Sequence, residues 1–160
     1  MKPKRAGFTL IELVVVILVG SILTSIALSS FQNVQNRFAV QGAKEMYMTL
    51  HQRARSKAVE MGETVLLLVY VQGDSALIFS QSEGISDVTR FDDQLDVDLR
   101  TEGNYSYLLC MTPRGYADYN CGSYTNFGFT QTFADTVRLQ FWLNADSASV
   151  LVLPMGQLVG

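Results

Sequence analysis

Proline is absent between Pro3 and Pro113, so nothing in the first two-thirds of this 160-residue chain forbids a long unbroken helix. Histidine occurs once, at His51, and neither a G-x-S-x-G elbow nor a phosphate-binding loop is present. The usual constellations of hydrolases and nucleotide enzymes are therefore missing, and the sequence gives no reason to expect catalysis or a cofactor. Cysteine occurs twice, and Cys110 and Cys121 have no nearby histidine, which leaves too few ligands for zinc. Basic residues are in the minority. Twelve Lys and Arg against 15 Asp and Glu give a formal charge of −3, the wrong sign for a general polyanion binder. No repeat of roughly 20 to 50 residues is visible. Between Gly7 and Arg37 the only charged residue is Glu12.

That last scarcity gives Glu12 its meaning. It lies near the start of an apolar run from Phe8 to Leu28, 21 residues that as a helix cover the roughly 30 Å hydrocarbon core of a bilayer. A carboxylate in that core costs several kcal/mol, so an intramembrane acid reads as functional and needs a partner. No cation within the segment supplies one. Upstream, Lys2, Lys4 and Arg5 form a short basic leader and Gly7 abuts the run. Cleavage after Gly7 would free an amine on Phe8, one helical turn from Glu12, able to pair with it within a chain or across to a neighbour.

The contiguous Gly7-Phe8-Thr9-Leu10-Ile11-Glu12 behind Lys4-Arg5-Ala6 closely resembles the prepilin peptidase site of type IV pilins and type II secretion pseudopilins. The resemblance implies that an inner-membrane peptidase and methyltransferase cuts between Gly7 and Phe8 and methylates the new amine. It also implies that Glu12 neutralises the amine of an adjacent subunit during assembly into a helical filament. A desolvated ion pair is tolerable only when both charges are buried together, which independently supports that role. The partners implied are other pilins or pseudopilins through the N-terminal helix, the prepilin peptidase/methyltransferase, the inner-membrane assembly platform and the membrane lipid.

Two plainer explanations compete. A secretory signal peptide would share the basic start and has a small-x-small site at Ser25-Ile26-Ala27, but an acid inside the apolar region and the length of the run argue against it. A simple single-pass anchor would share the positive-inside flank yet leaves Glu12 unexplained. The basic flank places the N-terminus in the cytoplasm and the remainder in the periplasm, before passage into a pilus or pseudopilus. Loss of Met1 to Gly7 removes three basic residues and no acids, leaving 9 against 15 and a side-chain charge of −6. In an oxidising compartment a Cys110–Cys121 bridge is favoured over two buried thiols. Closing this 12-residue loop would contribute about 3 kcal/mol.

After Leu28, Val40, Ala43, Tyr47, Leu50, Ala54, Ala58 and Met61 recur at spacings of three and four, an amphipathic stripe. The interspersed Lys44, Glu45, His51, Arg53, Arg55, Lys57 and Glu60 are assigned to the wet side. The expectation is one helix from Phe8 to about Met61 with Gly62 as its C-cap, and residues 29–62 packing on residues 63–160. From Glu63 the period drops to two. Thr64–Val71 and Ala76–Ser80 read as a hairpin, 82–94 as polar loop, and Leu95–Arg100 and Tyr105–Met111 as strands. Phe127–Phe133, Thr136–Leu143 and Ser149–Leu153 follow as strands, with a turn over 144–148 and breaks at Pro113-Arg114-Gly115 and Pro154-Met155-Gly156. The predicted architecture is α+β and pilin-like, a long N-terminal helix packed on an antiparallel β domain.

Three later segments extend the resemblance. Leu50 to Ala58 followed by a glycine and the β run Val65–Val71, then Met111-Thr112-Pro113-Arg114-Gly115, then Leu153-Pro154-Met155-Gly156-Gln157, look like the GspH/FimT family of minor pseudopilins and minor pilins. Major pilins commonly kink the membrane half of the helix with a proline that this chain lacks, which favours a minor subunit. The functional expectation is a structural subunit that primes or caps a type IV pilus or type II secretion pseudopilus. The alternative is a tip subunit that binds DNA or a surface, with Arg53, Arg55 and Lys57 as its candidate phosphate contacts and Arg114 as an addition from a turn. Arg53 and Lys57 share one helix face and His51 and Arg55 another, so a solvated face is the plainer explanation. Asp92, Asp93, Asp96 and Asp98 do not match an EF-hand loop, and no metal site is expected. Tyr116, Tyr119 and Tyr124, in or beside the cysteine loop, have the composition of contact loops.

Overall fold

A computed structural model describes residues 9–118 and 136–160. The chain divides into two compact units, Met1–Gln35 and Asn36–Gly160. One helix, α1 (Leu10–Met61), begins in the first and ends in the second, without a break at any point.

In the first unit Thr9 caps the helix. The Glu12 amide donates to Thr9 Oγ1 at 3.3 Å and the Leu13 amide donates to the Thr9 carbonyl at 3.2 Å. Thr9-x-x-Glu12 is thus a capping-box sequence in which the threonine half is formed. The hydroxyls of Ser21, Thr24 and Ser25 donate back to the carbonyls of Leu18, Gly20 and Ile22, each at 2.8 Å, so the few polar side chains of the run satisfy themselves within the helix. The large apolar side chains from Leu10 to Val34 are exposed. By length and composition this stretch is able to cross a membrane.

The second unit buries the predicted stripe: Val40, Ala43, Tyr47, Leu50, Ala54 and Ala58 are all closed off from solvent, and Met61 is partly so. Gly62, at φ +66°, ends the helix in the left-handed conformation that a C-cap requires. Strands β1 (Val65–Tyr70) and β2 (Ser75–Ser80) form the expected hairpin around a 3₁₀ turn at Val71–Gly73, in register from Val65↔Ser80 to Tyr70↔Ser75. The stretch expected to be loop from 82 to 94 instead forms β3 (Gly84–Arg90) and a short helix α2 (Phe91–Leu95). β3 is an outer strand whose residues are exposed or half-buried, so its sequence stays polar; only Phe91, fully buried, marks the return to the core. β4 (Asp98–Thr101) begins three residues later than expected because Leu95 ends α2 and Asp96 turns the chain at φ +56°.

β5 (Tyr107–Met111) pairs with β1, and β6 (Ala117–Asp118) with β5. β7 (Val137–Leu143), β8 (Asp146–Val152) and β9 (Leu158–Val159) complete the described strands. The β7–β8 turn is tighter than predicted: Leu143 already pairs with Asp146, leaving Asn144 and Ala145, with Asn144 at φ +55°. The Phe127–Phe133 strand expectation lies outside the described residues. All pairings are antiparallel, in a five-stranded sheet ordered β3-β2-β1-β5-β6 and a four-stranded sheet ordered β4-β7-β8-β9.

One core draws on α1 and both sheets, and includes Tyr47, Leu67, Ile78, Phe91, Leu139 and Phe141. A second cluster, Leu66, Leu68, Leu108 and Cys110, sits on the other face of the five-stranded sheet, which explains why β1 reads as a continuous apolar run. Phe91 meets Phe141 edge-on at 5.6 Å between centroids, and Tyr47 lies 6.1 Å from the same ring. The hydroxyls of Tyr47 and Tyr107 are 2.8 Å apart in the centre of this core. Burial pushes both phenols well above the usual tyrosine range. Tyr107→Phe is expected to leave the Tyr47 hydroxyl buried without this bond and to cost about 1–3 kcal/mol in denaturant titration. An unchanged midpoint would show that the pair carries no net stability.

Candidate functional site

Two regions bear on function. The first is the N-terminal segment, within the first compact unit. Gly7 and Phe8, the expected cleavage pair, lie outside the described residues. Glu12 is exposed on the first turn of α1 and makes no ion pair among the described residues. A helix N-terminus favours an acid through the partial positive charge of its free amides, so Glu12 has a structural reason to sit there as well as a chemical one. Thr9 is the residue that sequence reasoning passed over, although the T-x-x-E pattern before an apolar run is a recognisable signal for it.

The second region is the end of α1 and the turns against it. Thr112–Tyr116 closes through the Thr112 amide donating to the Tyr116 carbonyl and the Gly115 amide donating to the Thr112 carbonyl, both at 2.9 Å. The second Pro-x-Gly turn closes through Gly156 to Leu153 at 2.8 Å, and the Ala117 amide donates to the Met155 carbonyl at 3.0 Å. The two turns singled out by their sequence are therefore joined to each other. Glycine is required at both tips. A Cβ on Gly115 (φ +80°) would stand 3.4 Å from Val59 Cγ2 and 3.5 Å from Arg55 Nε, and one on Gly156 (φ +73°) only 2.6 Å from the Ala117 Cβ. Gly156→Ala is accordingly expected to cost about 2 kcal/mol or more through left-handed strain and collision, visible as a lowered Tm. A Tm equal to that of the parent would refute this close approach.

His51 departs from its expected place on the wet face. It is 3% exposed, its ring tilts against Tyr47 at 6.2 Å between centroids, and it hydrogen-bonds the Gly156 backbone while Nε2 has no partner. Burial, reinforced by the Arg55 charge one turn on, lowers its pKa to about 4. It is i+4 from Tyr47 and i−3 from Ala54, so it widens the apolar stripe rather than opposing it.

The candidate phosphate contacts do not form one patch. Arg53 pairs with Asp87 of β3 at 2.9 Å and Lys57 pairs with Glu83 at 2.7 Å, whereas Arg55 lies on the other flank beside Gly115. Arg114, in the turn next to Gly115, is exposed. Asp93 and Asp98 are tied to Arg90 and Arg100 at 3.3 and 3.5 Å, and Asp92 and Asp96 are exposed without ion pairs among the described residues. Asp96 does not share a strand with Asp98 as expected, since it caps α2. Cys110 is buried in β5, and no cysteine among the described residues is free. Cys121 lies outside the described residues, as do Tyr119 and Tyr124, while Tyr116 is 36% exposed.

Comparison with known proteins agrees with this geometry. Residues 2–28 match the family described as the prokaryotic N-terminal methylation motif. No curated protein matches the chain in sequence. Two crystal forms of the Pseudomonas aeruginosa PAO1 type IV minor pilin FimU share its fold. The P21 form aligns at 13% identity and a TM-score of 0.52 over 75% of this chain and 86% of FimU. The P65 form aligns at 14% identity and 0.50, over 74% and 90%. The fold is thus α+β and pilin-like, and the chain carries the N-terminal methylation motif at the head of its apolar helix.

Proposed function

We propose that this chain is a minor pilin or minor pseudopilin, a structural subunit that primes or caps a type IV pilus or type II secretion pseudopilus. The observation that carries the proposal is the coincidence, in one segment, of the methylation motif, an exposed apolar helix and Glu12 without an ion pair among the described residues. The precursor crosses the inner membrane once, N-terminus in the cytoplasm, with residues 63–160 in the periplasm. Prepilin peptidase cuts between Gly7 and Phe8 and the Phe8 amine is methylated. Glu12 then pairs with the amine of an adjacent subunit as the helix leaves lipid, so that neither charge remains uncompensated. Cys110 bridges Cys121 and secures the segment between β5 and β7. The assembly platform and other pilins are the partners.

The DNA- or surface-binding alternative has weaker support, because Arg53 and Lys57 are already occupied by Asp87 and Glu83 and Arg55 lies on the other flank of the helix beside Gly115, so the candidate contacts form no single patch. Fractionation tests the proposal. A tagged chain expressed in its native host is expected to co-sediment with sheared filaments, and Gly7→Leu is expected to keep it in the membrane fraction. Equal membrane retention of both forms would count against a filament subunit.

A further inference from the structure

Gly42 has no reason within its own chain to be glycine. It lies in the interior of α1, and among the described residues a Cβ there would meet only Leu95 Cδ1, at an ordinary contact distance of 3.7 Å. Alanine would fit, and it would favour the helix, because glycine in a helix interior gives up more backbone entropy on folding. What the missing side chain leaves is a groove of about 490 Å³ between α1 and the corner where β3 meets α2. Met46, Leu50 and Leu95 form its apolar lining, and Thr89 closes the β3 side. Leu50 is buried while Met46 and Leu95 are half-buried, so this lining is still reached by solvent.

The polar lining supplies a charge of one sign. Arg53 is committed to Asp87 at 2.9 Å, and the Thr49 hydroxyl donates to the Glu45 carbonyl at 2.9 Å. The Glu45 carboxylate is left exposed at the rim, without an ion pair among the described residues. An anion over an apolar lining matches a side chain that is aliphatic along its stem and positive at its tip, as lysine and arginine are. An exposed ion pair adds little by itself, so burial of the stem supplies most of the attraction and Glu45 selects the charge. Other exposed acids of the chain, such as Glu60, Asp92 and Asp96, do not line this groove.

We infer that the groove between Gly42 and Glu45 is the docking site for a lysine or arginine side chain of a different filament subunit. The inference rests on the filament-subunit proposal, since a subunit that primes or caps a filament is bordered by other kinds of subunit rather than by a run of itself. It adds the place and the chemistry of one such contact.

Full-length chain with the photo-crosslinker benzoylphenylalanine in place of Gln41, an exposed residue one turn before Glu45, tests it in the native host. The adduct from sheared filaments is expected to join this position to a peptide of another subunit that contains lysine or arginine. Gly42→Leu, which fills the groove without altering charge, is expected to lower the adduct per processed chain about tenfold. Glu45→Lys is expected to lower it several-fold, and changing the mapped basic residue of the partner to glutamate to restore it. Gly42→Ala is expected to raise the Tm of the purified chain by about 2–4 °C, because the glycine serves the partner and not the fold. Filament-borne chain with no adduct, an adduct only to a second copy or to lipid, a yield indifferent to Gly42→Leu or Glu45→Lys, no rescue, or a lower Tm for Gly42→Ala would each overturn the inference while sparing the filament proposal. Chain that is neither processed nor incorporated would overturn both.

Discussion

Glu12→Val is expected to reduce incorporation into filaments by at least tenfold while leaving cleavage after Gly7 largely intact. On the proposed account the two effects separate because the peptidase acts on the leader junction, whereas the carboxylate acts afterwards, when a terminal ammonium must leave water. Without Glu12 that ammonium is stranded in an apolar environment, and an uncompensated buried charge costs roughly 3–5 kcal/mol, more than enough for a tenfold change. Glu12 also occupies the third position of a helix capped by Thr9, so loss of valine-variant function has a second explanation, a frayed helix start. Glu12→Gln distinguishes the two. Glutamine is as acceptable as glutamate in a capping box, yet carries no charge. The charge-pairing account expects Glu12→Gln to fail like Glu12→Val; full incorporation of Glu12→Gln would assign the residue to capping instead. Both are read as the ratio of filament to membrane signal, normalised to the processed form.

The second large effect is on stability in acid. Neutral His51 is buried beside the Gly156–Val159 segment, and its folded pKa of about 4 lies below its value of 6.5 in an exposed chain. The unfolded state therefore binds a proton more readily between those two values. Stability is complete above pH 6.5, falls as pH drops, and has lost the full contribution by about pH 4, amounting to about 3 kcal/mol. The group facing His51 that adds to this is Arg55; Tyr47, on the same helix, stays neutral throughout. His51→Gln keeps a hydrogen-bonding side chain without titrating, so this pH dependence is expected to be absent from the variant, and the difference in unfolding free energy between it and the parent to change by about 3 kcal/mol across this window. Parallel stability curves for the two proteins from pH 7 to pH 4 would show that His51 is not held neutral by burial. Because there is one histidine, its imidazole resonances report the same titration directly.

Much of this arrangement was legible in the sequence, for reasons tied to particular residues. The stripe from Val40 to Ala58 announces a helix on a core because each member must turn inward every three or four positions. Val65–Val69 announces a strand buried on both faces because nothing polar interrupts it. β3 and α2 escaped notice because an outer strand needs few apolar residues, and Phe91 alone does not reveal a period. His51 was masked by its charged neighbours in sequence, although its spacing from Tyr47 and Ala54 points inward. The meeting of the two Pro-x-Gly turns and the approach of Gly115 to Arg55 depend on contacts across some 40 and some 60 residues that no local pattern encodes. The partner of Glu12 is invisible for a different reason: on this account it is an amine that does not exist until the leader is removed.

Mass spectrometry of the N-terminal peptide, from chain recovered in sheared filaments of its native host, bears most directly on this account. The account predicts a chain beginning at Phe8 with a methylated amine. A chain still beginning at Met1, or one cut near Ala27, would contradict it, since Glu12 would then have no terminal ammonium to meet.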